Sequence, residues 1–398
     1  MSETDIPVIT SQEALNAFCE KLSKQDVVFV DTEFHRESTY WPKLCLIQAS
    51  AEGVEGIIDP LAGGIDLAPF LKILGDPDIG KVFHAARQDM EIFTELMGTP
   101  PAPVFDTQIA AMALGLGDSI SYENLISQLT GGQIDKSSQF TDWARRPLTQ
   151  KQLKYALGDV THLRAAYAKM ADQLDSKNRW SWIEDDNLAL SELSLYKTDP
   201  EDAWKRMKMR RHRKDYLAVL KNVAIWRETL AQELNRPRSR ILKDDAVQEI
   251  ADQRPTNPQA LDRLRSVPKG FGNSRHGDGL MKAINDALAN VDEIAPVVEK
   301  PKHRGQSPAG ASDLLRVLLK QICDDAGVTP RLVANSADLE RVASGDGEET
   351  AVMSGWRYEL FGRHAQNLLH GRMAITFKDG QIEMFNTSDL PASDGPQG

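Results

Sequence analysis

The run Val27-Val28-Phe29-Val30, continuing at once into Asp31-Thr32-Glu33-Phe34, constrains the fold more than any other stretch of the chain. Four consecutive β-branched or aromatic residues suit a buried central strand. Side chains alternate along a strand, so Asp31 and Glu33 leave it on the same face. Two carboxylates side by side at the end of a buried strand repel each other unless a cation sits between them. Their hard oxygen atoms suit Mg2+ or Mn2+. A lone D-x-E also occurs at strand ends that merely face water, so the pair gains meaning only if acids elsewhere in the chain join it.

Around that strand the pattern is mixed. Ser11 is placed to cap a helix over 11–23, with Ala14, Leu15, Phe18 and Leu22 on its apolar face. Residues 44–49 and 54–58 read as two more strands joined at Gly53, giving a three-stranded antiparallel meander. Strands at 81–84 and 104–105 alternate with helices at 67–74, 88–97, 106–114 and 121–129, and a long helix covers 148–174. Three strands and then strand–helix alternation predict an α/β domain over 1–175 with helices packed on a mixed sheet. A connecting segment over 176–205 contains Trp180 and Trp182.

Beyond it the chain reads as helical, at 215–235, 244–252, 258–264 and 278–290, within a block spanning 206–294. A Pro- and Gly-containing linker over 295–312 separates this from a second helical block at 313–386, and a polar tail over 387–398 is expected to be disordered. An offset of 92 residues aligns Ile241 with Val333, Val247 with Leu339, Ile250 with Val342 and Ala251 with Ala343. The two blocks therefore read as duplicated small domains.

No apolar run reaches the roughly 18 residues of a membrane span, and Met1–Asp5 has neither the basic nor the apolar segment of a signal peptide. Cys19, Cys45 and Cys323 are too few and too scattered for a disulfide framework or a zinc cluster. A soluble, cytoplasmic, monomeric protein is expected. The net charge of −11 lies entirely in residues 1–175, because the remainder balances 33 cations against 33 acids. That remainder opens with seven Lys or Arg in residues 205–214, a local patch able to bind phosphates despite the acidic whole.

Two further acidic elements join the first. Asp89 lies at the start of the helix after the Phe83 strand, where an ordinary first-turn acid would also be at home. Tyr155 and Asp159 are four residues apart in the long helix and so share a face. Asp31-x-Glu33, then His84-Ala85-Ala86-Arg87-Gln88-Asp89, then Tyr155-x-x-x-Asp159 resemble the three motifs of the DEDD family of 3′→5′ exonucleases, in the subfamily with a tyrosine in the third motif. Val30–Phe34, Phe105–Gln108 and Thr141–Leu148 are similar to its ribonuclease D branch. Both helical blocks resemble HRDC domains, the nucleic-acid-binding modules also found in RecQ-type helicases.

The resemblance implies a ribonuclease H-like mixed-sheet exonuclease domain followed by two small all-α HRDC-type domains. It also implies two Mg2+ or Mn2+ ions about 4 Å apart, clamping the terminal phosphodiester. Asp31 would bridge both ions, Glu33 and Asp159 would complete the first, and Asp89 would support the second. Tyr155 would orient the attacking water, its ordinary pKa of about 10 making it a poor base.

The expected activity is removal of nucleoside 5′-monophosphates from the 3′ ends of tRNA precursors and other small structured RNAs, entered through single-stranded 3′ tails. A DNA 3′→5′ exonuclease and a non-catalytic nucleic-acid scaffold are the alternatives. Intact motifs argue against the scaffold, and the lack of a polymerase domain argues against a proofreader. Substrate contacts are expected from Thr32, Phe34, His84, Lys136, Arg145 and Arg146, and from Arg210, Arg211 and Arg213 in the basic run.

Overall fold

A computed structural model describes residues 6–298 and 309–389. Its first domain is a six-stranded mixed sheet in the order β1-β4-β3-β2-β5-β6. In chain order the elements are β1 (Val8–Ile9), α1 (Gln12–Leu22), β2 (Val27–His35), β3 (Lys43–Ala51), β4 (Val54–Ile58), α2 (Ala68–Leu74), β5 (Gly80–Phe83), α3 (Arg87–Met97), β6 (Val104–Asp106), α4 (Thr107–Ala113), α5 (Tyr122–Thr130), α6 (Gln150–Lys177) and α7 (Trp180–Ala189). The meander β2-β3-β4 is antiparallel, while β5 pairs parallel to β2 and β6 parallel to β5. Strand β1, only two residues long and parallel to β4, is too short to leave a periodic signal in the sequence.

Alternation sorts the strand residues onto two layers. Val28 and Val30, with Ile47 and Ala49, pack under α1, α2 and α3. Phe29 and Val82 pack instead against Val160 and Leu163 of α6, and Leu46 and Ile57 pack against Ala156 of the same helix. Odd-numbered residues of β2 therefore face α6, and Asp31 and Glu33 lie on that face. The start of α6 is set by a capping box: Thr149 Oγ1 accepts from the Gln152 amide, and Gln152 Oε1 accepts from the Thr149 amide. The start and phase so fixed turn Tyr155 and Asp159 toward the sheet.

The first helical block contains α8 (Lys214–Glu233), α9 (Arg238–Ile241), α10 (Asp244–Gln253), α11 (Pro258–Leu261), α12 (Gly277–Ala289) and α13 (Val291–Ile294). The second contains α14 (Ala309–Ala326), α15 (Pro330–Val333), α16 (Ser336–Ala343), α17 (Gly355–Arg357) and α18 (Arg363–Leu369). α9 and α15 begin 92 residues apart, as do α10 and α16, so the weak internal repeat is structural.

The second block departs from an all-α expectation. After α18 the chain forms a hairpin of β7 (Met373–Lys378) and β8 (Gln381–Asn386). Its turn, Asp379-Gly380, has φ of +53° and +84°, the left-handed pair that a two-residue hairpin loop requires. Other boundaries also move. Helix α7 fills a third of the connecting segment, and α14 begins at Ala309, inside the expected linker. Most of that linker, and all of the tail after Asp389, fall outside the described residues.

Candidate active site

Strand β2 and helix α6 bring Asp31, Glu33 and Asp159 together, with one carboxylate oxygen of each lying within 4.8 Å of the others. Asp89, in the first turn of α3, arrives from the opposite layer at the sheet's end, and its Oδ1 accepts a short hydrogen bond from Thr32 Oγ1. Among the described residues no Lys, Arg or His is ion-paired with any of these four.

The electrostatics follow from that crowding. Loss of hydration, then the charge of Asp159, holds the Asp31 carboxyl well above the usual range. Loss of hydration and the charges of Asp31, Asp159 and Asp89 push Glu33 up to about 10. Burial pushes Asp159 to about 8, and burial followed by the Asp31 charge raises Asp89 well above its ordinary value. Four carboxylates that cannot all ionise at neutral pH without a counter-charge, offering only oxygen donors, fit hard divalent cations.

Tyr155 stands half-buried beside them, its phenol raised by burial and then by Asp159, Glu33 and Asp31. Its ring lies 6.0 Å from that of buried Trp143. Tyr122, which no motif singles out, holds the turn of α6 that carries Asp159: its hydroxyl donates to the carbonyls of Gly158 (3.1 Å) and Asp159 (2.5 Å). Asp106 caps α4 and does more. It accepts from the amides of Gln108 (2.7 Å), Ala85 (3.0 Å) and Ala86 (2.9 Å), tying the start of α4 to the turn that presents α3 and Asp89.

The expected substrate contacts divide sharply. Thr32 is buried and engaged with Asp89, and Phe34 is half-buried. His84 lies inside the fold: its Nδ1 meets Thr107 Oγ1 at 2.9 Å, and burial lowers it to about 4, so the ring is neutral at pH 7. Arg146 is not free for phosphate. It grips Asp59 through Nε (2.6 Å) and Nη2 (2.7 Å) and donates to the carbonyls of Cys45 and Trp143, so its charge and its donors are used by the fold.

Lys136 is ion-paired with Glu123, whereas Arg145 is exposed and has no ion pair among the described residues. On the same segment Phe140 is 93 % exposed. The loop is tethered to β2, because Asp142 Oδ1 lies 3.1 Å from His35 Nε2.

Arg210, Arg211 and Arg213 lie far from the carboxylates in sequence, and they pair with Asp245, Asp252 and Asp215. With Lys205–Asp202 and Lys214–Asp292, five of the seven cations in the basic run are matched by acids. These pairs are exposed and contribute about 0–1 kcal/mol each, little enough to be exchanged for phosphates.

Comparison with known proteins agrees with this geometry. The 3′-5′ exonuclease family matches residues 6–175 and the HRDC domain family matches residues 216–284. The chain is 43% identical to ribonuclease D of Gluconacetobacter diazotrophicus over 371 residues, covering 93% of this chain and 94% of that protein. It is also 43% identical to ribonuclease D of Sphingobium indicum over 384 residues, covering 96% and 99%. The crystal structure of Escherichia coli RNase D, described as an exoribonuclease involved in structured RNA processing, superposes with a TM-score of 0.79. That match has 28% identity and spans 92% of this chain and 99% of that one.

Proposed function

This chain belongs to the ribonuclease D family and is a 3′→5′ exoribonuclease, and from that premise we propose that Asp31, Glu33, Asp89 and Asp159 hold two Mg2+ or Mn2+ ions with Tyr155 beside them. One observation carries the assignment: oxygens of three carboxylates crowd within 4.8 Å, with no cationic side chain paired to them among the described residues. Bound there, such ions supply a water of lowered pKa and charge stabilisation for the attacking and leaving oxygens of the terminal phosphodiester.

The chain's own residues do the positioning. Asp31, central in the cluster, and Asp159 join the catalytic strand to α6, and Thr32 steadies Asp89. The raised phenol of Tyr155 stays protonated, so its hydroxyl orients the nucleophilic water and does not deprotonate it. The product is a nucleoside 5′-monophosphate.

The substrates proposed are tRNA precursors and other small structured RNAs with single-stranded 3′ tails. Arg145 offers an exposed cation to the backbone, and the exposed ring of Phe140 offers a stacking face to a base, worth about 1–3 kcal/mol where such stacking is made. Arg210, Arg211 and Arg213 exchange their acidic partners for phosphates, and Lys136 does so more weakly. The working division is an exonuclease domain to about residue 175, a connecting segment, and two HRDC-type blocks. The protein acts as a cytoplasmic monomer, in keeping with three free, buried cysteines. Among the described residues no helix is long and apolar enough to cross a membrane.

The test is nucleotide release from 5′-labelled RNA and matched DNA with 3′ overhangs, in Mg2+ and in EDTA, for wild type and Asp31→Ala. Metal-dependent shortening of RNA from its 3′ end, slower by about 10^3-fold or more in the variant and weak on DNA, is expected. An Asp31→Ala protein that retains activity would remove the carboxylate assignment, and preference for DNA would remove the substrate.

A further inference from the structure

Gln48 is the most anomalous polar residue near the site. It is fully buried, and neither Nε2 nor Oε1 of its side chain finds a hydrogen-bond partner among the described residues. An amide buried in this way has given up its hydration and received nothing from the fold in return, so apolar packing alone gives no reason for a glutamine there.

Register shows what it faces. Gln48 is the direct cross-strand partner of Asp31 on β2 and of Ile57 on β4. Directly opposed residues on an antiparallel pair project from the same face, with Cβ atoms about 4.5–5.5 Å apart. Even-numbered residues of β3 face α6: Leu46 packs beside Ala156, and Ser50 Oγ donates to the Val160 carbonyl at 3.1 Å. On that face the four nearest neighbours of Gln48 are therefore Leu46 and Ser50 along the strand, and Ile57 and Asp31 across it. Two are apolar, and Ser50 is already engaged with α6. Of these four, Asp31 is the one carboxylate, the strongest acceptor within the sheet for the amide.

We propose that Gln48 is a positioning residue for the metal-binding cluster: its amide N–H, unpaired in this structure, would be taken up by the Asp31 carboxylate when that carboxylate turns to the orientation divalent cations require. The inference rests on the four-carboxylate reading above. Groups that orient metal ligands through a hydrogen bond typically change metal affinity by about 10–100-fold when removed. An amide kept for this purpose explains a glutamine at a position where burial would otherwise select an apolar side chain. A residue that costs the fold something and serves the loaded site is the expected form of a trade between stability and activity.

The test uses the full-length protein with Gln48→Met, close in length but without a donor, and Gln48→Leu as a second shape. Three quantities are read: Mn2+ affinity by EPR titration, Tm in EDTA, and kcat and KM on a 3′-tailed RNA. In both variants the expected result is a Tm in EDTA equal to or above wild type and Mn2+ binding about tenfold weaker or more. A kcat lowered to a similar degree, with KM within about twofold of wild type, is expected alongside.

Mn2+ affinity and kcat close to wild type in both variants would overturn the proposal, leaving the amide as mere packing. So would a Tm in EDTA lowered in both, which would make the amide a support of the fold. Asp31→Asn in the same titration separates the two readings. If it too binds Mn2+ like wild type, the carboxylate assignment fails; if it alone loses binding, only the role of Gln48 fails.

Discussion

The two helical blocks share helices at a constant spacing of 92 residues, yet they are fastened to the exonuclease domain by different physics. The first is held by a polar latch. Tyr40, in the loop after β2, donates its hydroxyl to Glu228, a side chain only 1 % exposed, and accepts from Arg238 Nη2 at 2.8 Å. The Arg238 guanidinium lies 4.8 Å from the centre of the Tyr40 ring, and Asn235 Oδ1 accepts from the amides of Tyr40 and Trp41. The second block is held by a shared core: Leu318, Cys323 and Leu332 pack into one continuous cluster with Leu114, Met170 and Ile183.

At the edge of that core Arg179 donates to the carbonyls of Ala113 (2.6 Å), Gly327 (2.8 Å) and Ala326, and Trp182 stacks on Trp356 at 4.4 Å. Position explains the contrast. The latch sits on the loop that continues the strand carrying Asp31 and Glu33, so it bears on the catalytic geometry. The shared core sits on α4, α5, α7 and the far end of α6, and reaches the carboxylate cluster only indirectly, through backbone contacts such as those of Tyr122. One duplicated unit has become a partner of the active site and the other a scaffold.

The largest effect should come from the scaffold side. Arg179→Ala strands three carbonyls and removes a cation lying 4.6 Å from the Trp182 ring centre, a loss of about 3–4 kcal/mol. Limited proteolysis should release residues 309–389 as a separable unit, while kcat on a short single-stranded RNA changes less than about twofold. A large fall in kcat would break the distinction.

Gly115→Ala tests the same surface through sterics. Its φ is +74°, and a Cβ there would meet the Gly327 carbonyl oxygen at 2.7 Å, a backbone atom with little room to move. A cost of about 2–3 kcal/mol, read from the urea midpoint, is expected. On the latch side, Tyr40→Phe removes only the hydroxyl, for about 1–2 kcal/mol. It should nonetheless lower kcat/KM several-fold, and hydrogen exchange of residues 36–42 should rise with it. A smaller stability loss with the larger activity loss is the signature that separates the two attachments.

Much of this is legible in the residues alone, for physical reasons that differ from one to the next. Asp31 and Glu33 share a strand face and Tyr155 and Asp159 a helix face because local periodicity dictates it, whereas joining these pairs with Asp89 into one set rests on the resemblance to the exonuclease motifs. The 92-residue echo of Ile241 in Val333 survives because buried positions of a repeated helix keep their chemistry.

The hairpin has a local signal too, Asp379-Gly380 between alternating Met373–Lys378 and Gln381–Asn386, although the surrounding residues carry a helical pattern. Arg146 cannot be read correctly from sequence, because its partner Asp59 lies 87 residues away and only the fold makes them neighbours. The same holds for the basic run, whose neutralising acids Asp245, Asp252 and Asp292 come from later helices. Gln48 is an ordinary glutamine until the register sets it opposite Asp31.

The smallest effect is also the one that distinguishes the attachments without disturbing either surface, because the latch is built on a buried carboxylate whose titration the fold displaces. Burial alone would raise the Glu228 carboxyl, but hydrogen bonds from Arg238 and Tyr40, the Arg238 charge and Gln232 together outweigh it and leave the group below its ordinary value. An unfolded glutamate titrates near about 4.3, so as pH falls the unfolded chain takes up this proton before the folded one does. The latch's ionic contribution is therefore complete above the unfolded value, declines below it, and is lost once pH has fallen through the folded value. The guanidinium–carbonyl bonds of Arg179 involve no group that changes charge across that range. Comparing wild type with Glu228→Gln cancels the titration of every other carboxylate, including the crowded catalytic set. The stability difference between the two should be constant well above the unfolded glutamate value and should shrink as pH falls below it. The difference between wild type and Arg179→Ala should stay flat over the same fall in pH. A Glu228→Gln difference that does not shrink on acidification would mean that packing around Tyr40, and not charge, holds the first block in place.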